Sequence, residues 1–144
     1  MKRLKRKLHK LILFLLLVLM HQTCYAMTNK ECIASVIYHE ARGEPEKGQL
    51  AVAGVLINRA KKFHTSVCFQ LFRKGQFSFV NHWRSRPIDR KWYNVASKAI
   101  KAHSTNDYSK GSMYFIHERA RPLWRKKTKF VLKIGKHCFY KEIE

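Results

Sequence analysis

Acidic side chains are scarce in this chain. Nine Asp and Glu stand against 30 Lys and Arg in 144 residues, a formal net charge of +21. Any chemistry that depends on carboxylates falls to very few of them. No C-x-x-C occurs, so a zinc ribbon or thioredoxin-type motif has no support. No glycine-rich loop is present to cradle phosphate, and Ser78 lies in no nucleophile-elbow glycine frame. His39-Glu40 begins like the zincin H-E-x-x-H, but Gly43 stands where the second histidine belongs. His64, His82, His103, His117 and His137 are scattered without close ligand spacing. No metal site is assigned and nothing demands a cofactor. Residues after 27 contain no Pro/Gly-rich linker, low-complexity tract or internal repeat, so they read as one domain. With 46% hydrophobic and 12% aromatic residues that domain can bury a core, which excludes general disorder.

A long apolar run is also missing. LILFLLLVLM offers ten apolar residues, too few to span a bilayer comfortably. The basic stretch MKRLKRKLHK precedes it, and HQTCYA follows and ends on the small residue Ala26. This order is that of a secretory signal peptide over residues 1–26, with Met27 as the mature start. The protein is therefore expected outside the cytoplasm, in the periplasm or extracellular space. Without residues 1–26, 24 basic and nine acidic side chains remain, a net +15. Such a field suits an anionic envelope surface, or it is only a solvated face. Export and the absence of an RNA-binding or helix-turn-helix signature argue against nucleic acid. Of four cysteines, Cys24 leaves with the signal. Three in an oxidising compartment make one disulfide and one free thiol. Cys32 to Cys68 is the preferred bridge, and Cys138, in the alternating run KHCFY, a packed residue.

Helices come first and short strands later, which predicts an α+β class. The first helix is expected over about Asn29 to Arg42, with Thr28 or Asn29 as N-cap and Glu31 in the first turn. A second is expected over Pro45 to Lys61, where LAVAGVLI is apolar on nearly every face and so belongs in the middle of the domain. Gly75 to Asn81, GQFSFVN, alternates like a half-buried strand. A third helix follows from Asp89, its expected cap, to His103. SMYFIH reads as a strand, and VLKI with HCFY as a hairpin.

Ile33, Val36, Ile37 and Glu40 follow the i, i+3, i+4, i+7 spacing of one helix face. A carboxyl on such a face costs free energy if it is ionised and unpaired, and desolvation raises its pKa. It can then hold a proton near neutral pH, as a general acid for a glycosidic oxygen must. The competing reading pairs Glu40 with Arg42, Arg59 or another cation. Glu44, before Pro45, sits where a helix N-terminus favours negative charge, or else orients a partner or contacts sugar. Most of the aromatics must be core. Sugar sites use aromatic faces and amides as well, which makes Gln76, Ser78, Tyr114 and Trp124 candidate cleft residues.

The segments YHEARGEPEKGQLAVAGVLINRAKKF, VCFQLFRKGQFSF, GSMYFIH with Trp124, and KIGKHCFY resemble, in that order, the SleB/CwlJ-type cell wall hydrolases. The resemblance covers about Glu31 to Tyr140. It implies a lysozyme-like α+β domain, a helical core with short β-hairpins, that cleaves the glycan strands of peptidoglycan. It implies lytic transglycosylase chemistry with the first glutamate of EARGE, Glu40, as catalytic acid. It also supports the Cys32–Cys68 bridge, since Gram-negative relatives commonly carry cysteines there. A monomer is expected. The implied mechanism needs one carboxyl, and after the second helix only Asp89, Asp107, Glu118, Glu142 and Glu144 remain as acids. That scarcity favours transglycosylation over a two-carboxylate muramidase. A metal-dependent N-acetylmuramoyl-L-alanine amidase and a non-catalytic basic envelope-binding protein compete with both.

Overall fold

The computed structural model describes residue 10, residues 26–82 and residues 88–143. The expected signal segment lies outside the described residues except for Lys10 and Ala26, as does Trp83.

Helix α1 spans Asn29–Val36 and opens on a reciprocal cap. Thr28 Oγ1 accepts from Glu31 N at 3.2 Å, while Thr28 N donates to Glu31 Oε2 at 2.6 Å. The chain does not stay α-helical to Arg42. Residues Ile37–Ala41 form one π-helical turn, which re-aims the side chains within it. Helix α2, Glu46–Lys62, runs through the centre, and Leu50 to Leu56 are all buried. Pro45 precedes it with extended ψ. The short helix α3, Val67–Phe72, has no counterpart among the helices expected from the sequence. Ser66 caps it by accepting from Phe69 N at 3.0 Å. Helix α4 spans Arg90–Thr105, and Asp89 occupies its N-cap position without a side-chain capping bond.

The expected strand over Gly75–Asn81 is corrected: Ser78–His82 is a 3-10 turn. The alternation there reflects an irregular loop that buries Phe77, half-buries Phe79 against it at 5.8 Å, and exposes Ser78. Three strands form one antiparallel sheet in the order β1-β3-β2. They are β1 (Tyr114–His117), β2 (Thr128–Ile134) and β3 (His137–Glu142). Tyr114 faces Tyr140 across β1–β3, and Ile134 faces His137 at the tip of the β2–β3 hairpin. A further 3-10 turn, Leu123–Lys127, leads into β2.

Helices α1, α3 and α4 and the π turn all pack on α2. Gly54 marks one close approach: a Cβ there would lie 2.7 Å from Asp107 Oδ1. Asp107 belongs to a polar knot that ties the loop before β1 to α2. Asn58 Nδ2 donates to Asp107 Oδ2, Ser109 Oγ and the Ser112 carbonyl at 3.0–3.1 Å. Burial alone would raise the Asp107 pKa. Hydrogen bonds from Ser109, Asn58 and Gly111 outweigh it and hold the carboxyl below its ordinary range.

The Cys32–Cys68 disulfide joins α1 to α3, with Cα atoms 5.4 Å apart, and Cys138 is a free, half-buried thiol. The bridge closes a loop with a sequence separation of 36. Loop-closure entropy then gives it about 3–4 kcal/mol. Converting both cysteines to alanine should lower the unfolding free energy by that amount in urea titrations. A loss below about 1 kcal/mol would show that the reduced chain is already constrained there.

Candidate active site

The π turn is fixed from three sides. Ile37 and Ala41 are buried in the core, and Tyr38 meets the edge of Trp92 at 5.9 Å. These anchors leave Glu40 at the floor of an open cleft of about 460 Å³. The cleft walls come from four places. Val55 and Arg59 project from α2, Gly75 to Ser78 from the loop leading into the Ser78–His82 turn and its first residue, Tyr114 and Phe115 from β1, and Trp124 from the turn before β2.

All four cleft residues expected from the sequence, Gln76, Ser78, Tyr114 and Trp124, therefore line the same cavity as Glu40. Tyr114 and Trp124 stack with centroids 5.2 Å apart, and Tyr140 braces Trp124 edge-on at 5.7 Å. Tyr114 Oη donates to Glu142 Oε1 at 3.1 Å, and Glu142 is ion-paired with Lys62. Burial and the Glu142 carboxylate push the Tyr114 phenol up, so it stays neutral at physiological pH.

Glu40 is half-buried, and burial alone raises its pKa above the ordinary 4.5. Neither Arg42 nor Arg59 takes the part of its counter-ion. The Arg42 guanidinium lies over the Tyr38 ring at 5.0 Å, and Arg59 donates to Gln76 Oε1. No carboxyl other than Glu40 lines the cleft among the described residues.

Glu44 lies elsewhere. Its carboxylate accepts from Lys136 N at 2.9 Å and sits 3.8 Å from His137 Nδ1, at the tip of the β2–β3 hairpin. Gly135 there has φ +57°, and a Cβ on it would collide with Glu44 Oε2. Burial lowers the His137 pKa, with Glu44 opposing the shift. Glu44 thus clasps the sheet onto the segment that carries Glu40.

Arg59 enters the sequence reading as a competing counter-ion for Glu40 and not as a cleft residue, yet it is a wall of the cleft. A signal for it exists. It follows Val55 by four and lies on the same buried face, as Glu40 lies on the stripe of α1. Phe115 is a second wall residue, hidden in the sequence among the aromatics expected in the core.

A helical core with the half-buried Glu40 in a cleft beside a small antiparallel sheet makes this a lysozyme-like α+β domain. The chain belongs to the Cell Wall Hydrolase family, whose model matches residues 43–140 and so begins just after Glu40. Relatives include the spore cortex-lytic enzymes of Bacillus cereus and Bacillus subtilis. The first is 30% identical over 81% of this chain, and the second 32% over 74%. The chain spans only 46% and 35% of their respective lengths. Among solved structures, it resembles the catalytic domain of the germination-specific lytic transglycosylase SleB from Bacillus anthracis. The TM-score is 0.69 at 28% identity, covering 83% of this chain and 98% of that one. The Bacillus cereus SleB catalytic domain gives a TM-score of 0.68 at 27% identity, covering 83% and 94%.

A desolvated carboxylate, with no counter-ion among the described residues, should weaken the fold where it is ionised. Below pH 4.5 Glu40 is protonated in folded and unfolded chains alike, so Glu40→Gln changes little. Above its raised pKa the native state bears the cost of the charge, and Gln removes that cost. Glu40→Gln should raise the melting temperature by a few degrees at about pH 7.5, with the gain vanishing at about pH 4. A variant less stable at both pH values would mean that a partner stabilises the carboxylate.

Proposed function

We propose that the protein is an exported enzyme that cleaves the MurNAc–GlcNAc bond of peptidoglycan glycan strands as a lytic transglycosylase. The observation that carries this reading is Glu40: the one carboxyl lining the cleft among the described residues, its proton affinity raised by desolvation, beside aromatic and amide side chains. Protonated Glu40 donates to the bridging glycosidic oxygen as the bond to MurNAc C1 breaks. The resulting carboxylate takes the proton of the MurNAc 6-hydroxyl. That oxygen closes on C1, giving a 1,6-anhydro end and returning Glu40 to its acid form. Trp124 and Tyr114 offer a stacked platform for sugar faces, and Gln76 and Ser78 offer hydrogen bonds. Glu44 serves the same site by holding the hairpin.

A two-carboxylate muramidase mechanism needs a second acid across the cleft at about 5–9.5 Å. Glu40 is the sole acid lining it among the described residues, which favours internal attack by the 6-hydroxyl. The net positive charge that remains without residues 1–26 suits an anionic wall, and the signal-like segment suits a site of action outside the cytoplasm.

Intact peptidoglycan digested by the protein should yield muropeptides ending in 1,6-anhydro-MurNAc by mass spectrometry. Glu40→Gln should slow their release at least about a hundredfold. Reducing MurNAc ends would instead mark a muramidase, and freed stem peptides an amidase.

The pH profile offers a separate check. Because Glu40 must enter the cycle protonated, kcat/KM should fall as pH rises through its raised pKa, a limb lying above 4.5. A rate that keeps rising with pH through that range would remove Glu40 from the role of acid.

A further inference from the structure

Arg59 is an unusual residue for its position. It is 8% exposed, lies on the buried face of α2 and lines the cleft. Guanidinium stays protonated in proteins, so this is a buried charge. Its partner is neutral: one N–H donates to Gln76 Oε1. No carboxylate pairs with it among the described residues. Burial is the main force disfavouring its charge; Tyr114 opposes that shift, and Arg73 adds a smaller like-charge repulsion. An apolar side chain of similar size would serve the helix better, since a buried charge without a counter-charge is costly. The chain has 30 basic residues, and the others could meet any general need for positive charge from the surface. Glu40 forms no ion pair with it among the described residues. The cleft thus holds a half-buried acid and a buried cation with no ion pair between them among the described residues, which leaves room for an anion brought by whatever fills it.

This inference rests on the glycan-strand reading above. GlcNAc is neutral, whereas the muramyl residue carries a lactyl carboxyl, free in a peptide-free strand and amide-linked in a substituted one, where the stem peptide brings its own carboxylates. We propose that Arg59, held by Gln76, forms a subsite for a carboxylate borne by the muramyl residue. The guanidinium fork matches a carboxylate in two parallel hydrogen bonds. Arg59 thereby selects muramyl-bearing strands over chitin-like ones and sets which sugar lies beside Glu40.

The test measures binding to the protein carrying Glu40→Gln, which prevents turnover, by tryptophan fluorescence and calorimetry. Four tetrasaccharide ligands serve: a peptide-free GlcNAc–MurNAc strand, its lactyl amide, a peptide-substituted strand, and chitotetraose. A carboxylate-bearing strand should bind about tenfold tighter than the lactyl amide and chitotetraose. Preference for the peptide-free strand assigns the lactyl group, and preference for the substituted strand alone assigns the stem peptide. Arg59→Met should reduce the preference to about one. Arg59→Lys should keep part of it, through charge without the fork. Equal binding of all four ligands, or a preference that survives Arg59→Met, overturns the subsite and leaves the glycan reading standing. If no strand binds at all, the glycan reading itself falls and the subsite falls with it.

Discussion

Burying helix α2 on nearly every side leaves its few polar side chains without water. Each fully buried Val or Leu contributes about 1.5–3 kcal/mol, and Leu50, Val52, Val55 and Leu56 are all in the core. Ala51, Ala53 and Gly54 keep the helix narrow, so that the loop around Asp107 comes against it. The polar residues at its C-terminal end must then be satisfied by protein. Asn58 answers by knotting the Asp107–Ser112 loop to the helix, which fixes where β1 begins. Arg59, one position on, turns the other way into the cleft. The site walls contributed by β1 and by α2 are thus set by the same buried helix.

Much of this is legible in the sequence. The first helix with its cap at Thr28, one of two residues expected there, the central helix, the helix after Asp89 and the C-terminal hairpin each follow from local chemistry that tertiary contacts reinforce. The cleft residues Gln76, Ser78, Tyr114 and Trp124 come from three separate segments, picked out by residue type, and they do meet. Other features are hidden for physical reasons. Periodicity assumes one helical pitch, so it cannot show the π turn at Ile37–Ala41. Alternation in GQFSFVN reports which side chains face the core, and it looks the same whether or not a neighbouring strand exists to pair with. Helix α3 is six residues long and exposes Phe69 and Phe72, so it carries no amphipathic signature. A capping account of Glu44 considers only its own helix, whereas its partner lies 92 residues away.

The second glutamate of EARGE matters through geometry. Lys136 N and His137 meet its carboxylate at the hairpin tip, and Gly135 permits a close approach that any side chain would block. The sheet is thereby attached to the turn between α1 and α2. Tyr114 and Phe115 on β1 are carried by the same sheet through β3. The wall facing Glu40 is therefore positioned relative to Glu40 by a residue four places along the chain.

On the proposed mechanism, a single carboxyl that acts first as acid and then as base faces two opposed demands. It has to be desolvated enough to hold a proton, yet not so deeply buried that the anion it leaves cannot form. Full burial would trap the protonated form, and full exposure would lose the proton at neutral pH. Half-burial lies between these limits: Glu40 sits in a π turn whose Ile37 and Ala41 stay locked in the core. That no cation pairs with Glu40 among the described residues fits the same logic. An arginine within bonding reach would depress the pKa and leave no proton to give, so the buried guanidinium in the cleft is held instead by Gln76.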